Sequence, residues 1–161
     1  MKKLVFLVLT VLSLGFLNAQ KLNDKGLYVN YDEKSAMLFN DELFNGVISE
    51  TKEGVKSELT IKEGLVDGQA RYFYASGELM ETGTFTKGQK DQKWTRFNQD
   101  GSVSAIAFYN LGKKTGTWLV YDNNGKKRFE MNYSDGQKTG TWTSWDENGA
   151  VVSSKDYSNV N

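Results

Sequence analysis

Trp94, Trp118 and Trp142 stand 24 residues apart, and Lys90, Lys114 and Lys138 keep the same interval, with Lys113 beside the second of them. Indole faces stack on sugars and partner side chains, and a row of ammonium groups meets anions. At a fixed pitch, these residue types point to recognition rather than bond-breaking. The chain has no histidine and no cysteine, which removes Ser-His-Asp and Cys-His triads, thiolate nucleophiles, disulfides and the ordinary zinc and haem sites. The carboxylate pair Asp146 and Glu147 falls in the turn-like run Asp146-Glu147-Asn148-Gly149, where solvation explains it better than acid–base work. Gly112-Lys113-Lys114-Thr115-Gly116 has Ala107 where a phosphate loop needs its first glycine, and Asp122-Asn123-Asn124-Gly125 lacks the spacing and distal glutamate of a calcium loop. No catalytic residue, cofactor or metal ligand is assigned. Lys and Arg number 20 against 20 Asp and Glu, so a nucleic-acid grip is not expected and membrane contact is at most peripheral.

What positions these side chains is a repeat. Four gapless repeats run over 64–87, 88–111, 112–135 and 136–161, with like chemistry in like columns. The first column is Gly64, Gly88, Gly112 and Gly136, the fourteenth Gly77, Gly101, Gly125 and Gly149, and the twenty-second Phe85, Tyr109, Tyr133 and Tyr157. The seventh reads Ala70, Trp94, Trp118, Trp142 and the tenth Phe73, Phe97, Tyr121, Trp145; in the fifth, Gln92 replaces a glycine. Asn and Asp before Gly101, Gly125 and Gly149 mark hairpin turns, and the first-column glycines close a second set half a period away. Between the turns lie segments of about eight residues rich in Trp, Tyr, Phe, Val and Thr, which suit strands. Phe129, Met131 and Tyr133 alternate with Arg128, Glu130 and Asn132, a period of two that turns one face inward. The expectation is an all-β fold: an elongated single antiparallel meander sheet of stacked hairpins, with aromatic ladders as its core.

The pattern Tyr-x-x-Gly-x-x-x-Gly-x-Trp-x-x-aromatic-x-x-x-Gly, at Tyr109 to Gly125 and again at Tyr133 to Gly149, resembles the MORN-repeat variant. Asn40-Asp41-Glu42-Leu43-Phe44-Asn45-Gly46, followed by Lys52-Glu53-Gly54, resembles the degenerate opening repeat of bacterial multi-repeat members that often carry a YwqK-type antitoxin label. The resemblance covers about residues 40–161. It implies a sheet that serves as a scaffold for protein contacts or, in some eukaryotic members, touches phospholipid.

Residues 20–63 read as a degenerate first repeat and N-terminal cap: Gly46 precedes Gly68 by 22 residues and the tryptophan column is empty. Residues 1–19 read as a signal peptide. Lys2 and Lys3 precede an apolar run, Leu4 to Leu17, too short to span a membrane, and Ala19 offers the cleavage point. An exported, periplasmic or secreted chain does not meet a cytosolic toxin, which sets the antitoxin role behind the others. The expected function is a non-enzymatic scaffold or binding module for another protein or an envelope component, the alternatives being an anionic lipid or glycan module and an antitoxin-type partner of a toxin. The candidate binding residues are Trp94, Trp118, Trp142, Lys113, Lys114 and Lys138. Each row also has a plainer reading, the tryptophans as core packing and the lysines as solubilising turn residues.

Overall fold

The computed structural model describes residues 22–24, 27–31, 36–39 and 42–158. The apolar leader with its cleavage point near Ala19 lies outside them. A small sheet is formed by β1 (Leu22–Asp24), β2 (Leu27–Tyr31), β3 (Met37–Phe39) and β4 (Glu42–Leu43). The main sheet follows as β5 (Gly46–Lys52), β6 (Val55–Lys62), β7 (Leu65–Phe73), β8 (Leu79–Thr86), β9 (Gln89–Phe97), β10 (Val103–Asn110), β11 (Lys113–Tyr121), β12 (Lys127–Ser134), β13 (Gln137–Trp145) and β14 (Val151–Asp156). Its ten strands lie in sequence order and every pair is antiparallel. This is the expected meander, preceded by a small sheet whose short strands carry no repeat signature.

The two sets of turns differ in chemistry. Glu63-Gly64, Lys87-Gly88, Leu111-Gly112 and Asp135-Gly136 are two-residue connections with both φ angles positive, the type I′ geometry whose twist matches that of the flanking strands. Each later turn glycine also leans on the repeat before it: Gly88, Gly112 and Gly136 donate their N–H to the carbonyls of Val66, Lys90 and Lys114 at 2.7, 2.7 and 2.8 Å. The other set are five-residue loops. Asp122 N donates to Lys126 O and accepts, through its carbonyl, from Gly125 N, while its Oδ1 takes the N–H groups of Asn124 and Lys126 at 2.9 and 3.0 Å. Asp146 repeats this with Asn148 and Ala150, which explains why Asp and Asn crowd these loops.

The 22-residue opening interval has a local cause. Between β5 and β6 the five-residue loop and the bulge beside it are replaced by the two-residue turn Glu53-Gly54, so that Glu50 pairs with Ser57, seven residues on, where Tyr72 pairs with Glu81, nine residues on, which accounts for the two missing residues. Asn45 Oδ1 accepts from Glu63 N, as Asp67 accepts from Lys87 N and Asp91 from Leu111 N.

The fully buried core sits at one end. Leu59, Ile61, Val66, Ala70, Phe85 and Trp94 pack under Met37 of β3, with Ile61, Phe85 and Trp94 no more than 2 % exposed. The small sheet is tied there by Met37 N to Gly64 O and Gly64 N to Phe44 O. From Gly101 to Ser158 every residue is at least partly exposed. There the sheet is a single layer, so its ladder, expected as core, is only half-buried.

Candidate functional site

A local irregularity aims the tryptophans. In β11, Gly116, Thr117 and Trp118 together stand opposite Ala107, because Thr115 pairs with Phe108 and Leu119 with Ile106. The same bulge sets Gln92, Lys93 and Trp94 against Gly83, and Gly140, Thr141 and Trp142 against Met131. It tips each indole back over the preceding strand, where Nε1–H donates to the carbonyls of Thr84, Phe108 and Asn132 at 3.1, 3.0 and 2.9 Å. A buried indole N–H needs such a partner.

Twenty-second-column tyrosines fill the spaces between. Ring centroids run Trp94–Tyr109 6.5 Å, Tyr109–Trp118 5.2 Å, Trp118–Tyr133 5.1 Å, Tyr133–Trp142 5.0 Å and Trp142–Tyr157 5.2 Å. Third-column lysines lie across this ladder. Lys90 Nζ is 3.7 Å from the Trp94 centroid, Lys114 is 4.7 and 5.1 Å from Trp118 and Tyr133, and Lys138 is 4.3 and 5.1 Å from Trp142 and Tyr157. Such contacts contribute about 0.5–1 kcal/mol each at exposed positions. The tryptophans are therefore not bare platforms: a layer of lysine ammonium lies over the aromatic rings.

The rows are not electrically uniform. Lys90 is neutralised by Glu81 at 2.8 Å, but the positions 24 and 48 residues beyond Glu81 are Ala105 and Phe129, and among the described residues no carboxylate pairs with Lys114 or Lys138. Lys155 joins them, pairing across from Trp142 with Nζ 4.9 Å from Tyr157. Strands β10–β14 contain two acidic residues, Glu130 and Asp156. Glu130 neighbours Met131, which pairs with Trp118, and Asp156 neighbours Lys155; alternation turns both to the opposite face. The ladder face of β10–β14 thus carries Lys114, Lys138 and Lys155 and no carboxylate. Burial, with Glu81 adding to it, pushes the Tyr72 phenol up to about 12, and burial also raises Tyr109 and Tyr133. The phenols stay neutral at physiological pH, and the charge of the face is that of its lysines.

Lys113 does not belong to this group. It adjoins Lys114 in one strand, so it points the other way, and pairs with Asp135 at 2.7 Å with both side chains more than half exposed, a contact of about 1 kcal/mol or less. The opposite face also holds a shallow groove of about 480 Å³ near Lys56, Glu58, Arg71, Phe73 and Tyr74, but Glu58 binds both cations, at 2.7 and 2.8 Å. Among the described residues no cluster of His, Cys, Asp and Glu could hold a metal ion. Glu81 and Lys155 are not among the sequence candidates, and Phe129, read as inward-facing, is 47 % exposed; the charges in columns 18 and 20 of the repeat carry the signal for the first two.

The MORN repeat variant matches three segments, residues 66–87, 114–135 and 138–159. The intervening frame, 90–111, is the one with Gln92 where the others have Gly68, Gly116 and Gly140. Repeats of this kind are generally protein or lipid interaction modules. No curated protein matches the chain.

Proposed function

We propose that a sheet of MORN-variant hairpins here acts as a non-catalytic binding module, exported from the cytosol, whose recognition surface is the ladder face of β10–β14 and whose partner presents an acidic protein surface. The observation that carries this reading is the asymmetry of charge on one face: Lys114, Lys138 and Lys155 stand over aromatic rings with no carboxylate among them, whereas Lys90 one repeat earlier is neutralised by Glu81. Successive lysines of one column are two strands apart, so their Cα atoms lie about 10 Å apart along the sheet. An anionic partner gains from both at once, and the aromatic floor excludes water from the contact.

An anionic lipid surface is the second reading, favoured by Phe129, 47 % exposed on the same face among the lysines. Lysines near an anionic membrane contribute about 1 kcal/mol each, so reversing all three should weaken such binding by at least a hundredfold.

Both readings are tested by comparing the unmodified chain with a Lys114→Glu, Lys138→Glu, Lys155→Glu variant and with Lys113→Glu as control. Capture from the envelope fraction at low and high salt, and sedimentation with phosphatidylglycerol against phosphatidylcholine vesicles, report on the two partners. Loss of a captured protein in the triple variant, with the control unchanged, supports the protein reading; loss of vesicle binding supports the lipid one. Identical behaviour of all three chains refutes the face as the site. Recovery of the chain in the cytosol, bound to a toxin, replaces the proposal with the antitoxin role.

A further inference from the structure

The main sheet ends in two strands, β5 and β14, and among the described residues nothing pairs with the outer edge of either. All six residues of β14 are exposed, Val151 and Val152 at 59 and 68 %. An open edge of this kind is a template for another strand unless charges or prolines blunt it. The two charges of β14 are of opposite sign and turn to opposite faces of the sheet. Asp156 Oδ1 accepts from the N–H and hydroxyl of Ser158 at 2.8 and 2.6 Å, and Lys155 lies over Tyr157.

Within the chain, the same kind of edge is filled three times in one register. β8 takes β9 with Thr82 opposite Thr95, β10 takes β11 with Ile106 opposite Leu119, and β12 takes β13 with Glu130 opposite Thr143. Ser154 is the next member of the first series, 24 residues beyond Glu130. The strand that continues the second series must run antiparallel to β14 and bring a free outer edge, and β5 has both properties. Its residue equivalent to Thr95 is Ser49, because Ser49 pairs with Glu58 as Arg71 pairs with Thr82, one period later.

We propose that copies of this chain associate head to tail, β14 of one pairing antiparallel with β5 of the next so that Ser154 stands opposite Ser49. The same register sets Ser153 opposite Glu50 and Asp156 opposite Asn45, so no like charges meet, and all ladder faces share one side. A contact between two different patches leaves one free edge at each end, so it adds chain after chain into an open string, or into a ring where the rotation closes, rather than a two-fold dimer. Pairing of β14 with β14 of a second copy is the competing, closed arrangement.

The chain has no cysteine, so Ser154→Cys and Ser49→Cys each introduce a single thiol at an exposed position. Directly opposed residues of antiparallel strands have Cα atoms about 4.5–5.5 Å apart, within disulfide range. In an equimolar mixture of the two full-length variants under a glutathione redox buffer, the mixed disulfide should exceed either homodisulfide by about tenfold, where random collision gives twofold. A dominant Ser154→Cys homodisulfide overturns the proposal in favour of the closed dimer. A mixed disulfide no faster than that between Ser154→Cys and the turn control Asn148→Cys overturns it in favour of no association. Sedimentation of the unmodified chain gives an independent reading. Mass rising past that of a dimer with concentration supports the string, and a plateau at monomer or dimer refutes it.

Discussion

Replacing Gly83 with alanine sets two expectations against each other. Gly83 has an ordinary strand conformation, absent from the positive-φ positions, so backbone entropy alone predicts that alanine stabilises by about 0.5–1 kcal/mol. The space around it says the opposite. A Cβ there would overlap Trp94 Cδ2 and Cε2 and lie 2.6 Å from Cγ; these are atoms of the ring body, not the end of a flexible chain. Trp94 is 2 % exposed, edge-on to Phe85 at 5.1 Å, and donates to Thr84 O. Overpacking costs about 1–3 kcal/mol, and displacing the indole loses a hydrogen bond of about 1 kcal/mol. Net of the entropy gain, Gly83→Ala should destabilise by about 2 kcal/mol. Urea unfolding followed by circular dichroism measures this, and repeating the substitution in a Trp94→Leu background isolates the cause, since the penalty should vanish when the ring is absent. A Gly83→Ala chain as stable as the unmodified one, or an equal loss in both backgrounds, refutes the account of why this column narrows to glycine under the best-buried tryptophan.

Three further outcomes are expected. Leu111→Asn should raise stability by about 0.5–1 kcal/mol, because Leu111 holds φ 43° in a type I′ turn while 52 % exposed, a position asparagine adopts more readily; unchanged thermal unfolding would contradict this. Trp118→Ala should cost about 2–3 kcal/mol, less than a fully buried indole, and should speed amide exchange in β12 and β10 ahead of β6. Stability should fall as pH drops below about 4: Asp91 is held low by the Leu111 N–H and Asp100 and Asp156 by the hydroxyls of Ser102 and Ser158. Their folded values lie under their unfolded ones, so the contribution is present above the unfolded value and lost as the folded value is approached from above; a flat urea midpoint from pH 7 to 3 would contradict it.

Much of this architecture was legible in the residues. Glycines at 24-residue intervals, with Asp and Asn before Gly101, Gly125 and Gly149, imply turns at both ends of each hairpin, and the structure has them. Even the contrast between Lys113 and Lys114 was available, since neighbours in a strand face opposite ways. Other features depend on distance across the sheet. That Lys90 is neutralised by Glu81 and Lys114 is not follows from which residues of separate strands come opposite, and a column of glycine, alanine and methionine, Gly83, Ala107 and Met131, acquires meaning only once an indole is known to lie over it. The small sheet of β1–β4 carries no 24-residue period, and its place against the main sheet, with Met37 among Leu59, Ile61 and Val66, is set by packing rather than by local chemistry.

The confinement of full burial to the end of the sheet beneath Met37 has a mechanical consequence. Each hairpin beyond Trp94 is held by its neighbours and its turn contacts alone, so a load applied at the C-terminus should peel β14 and β13 first and travel inward in 24-residue steps. The same load at the other end would meet the anchored core at once. The chain would yield like a zipper with one riveted end, extensible from the side that carries its lysines.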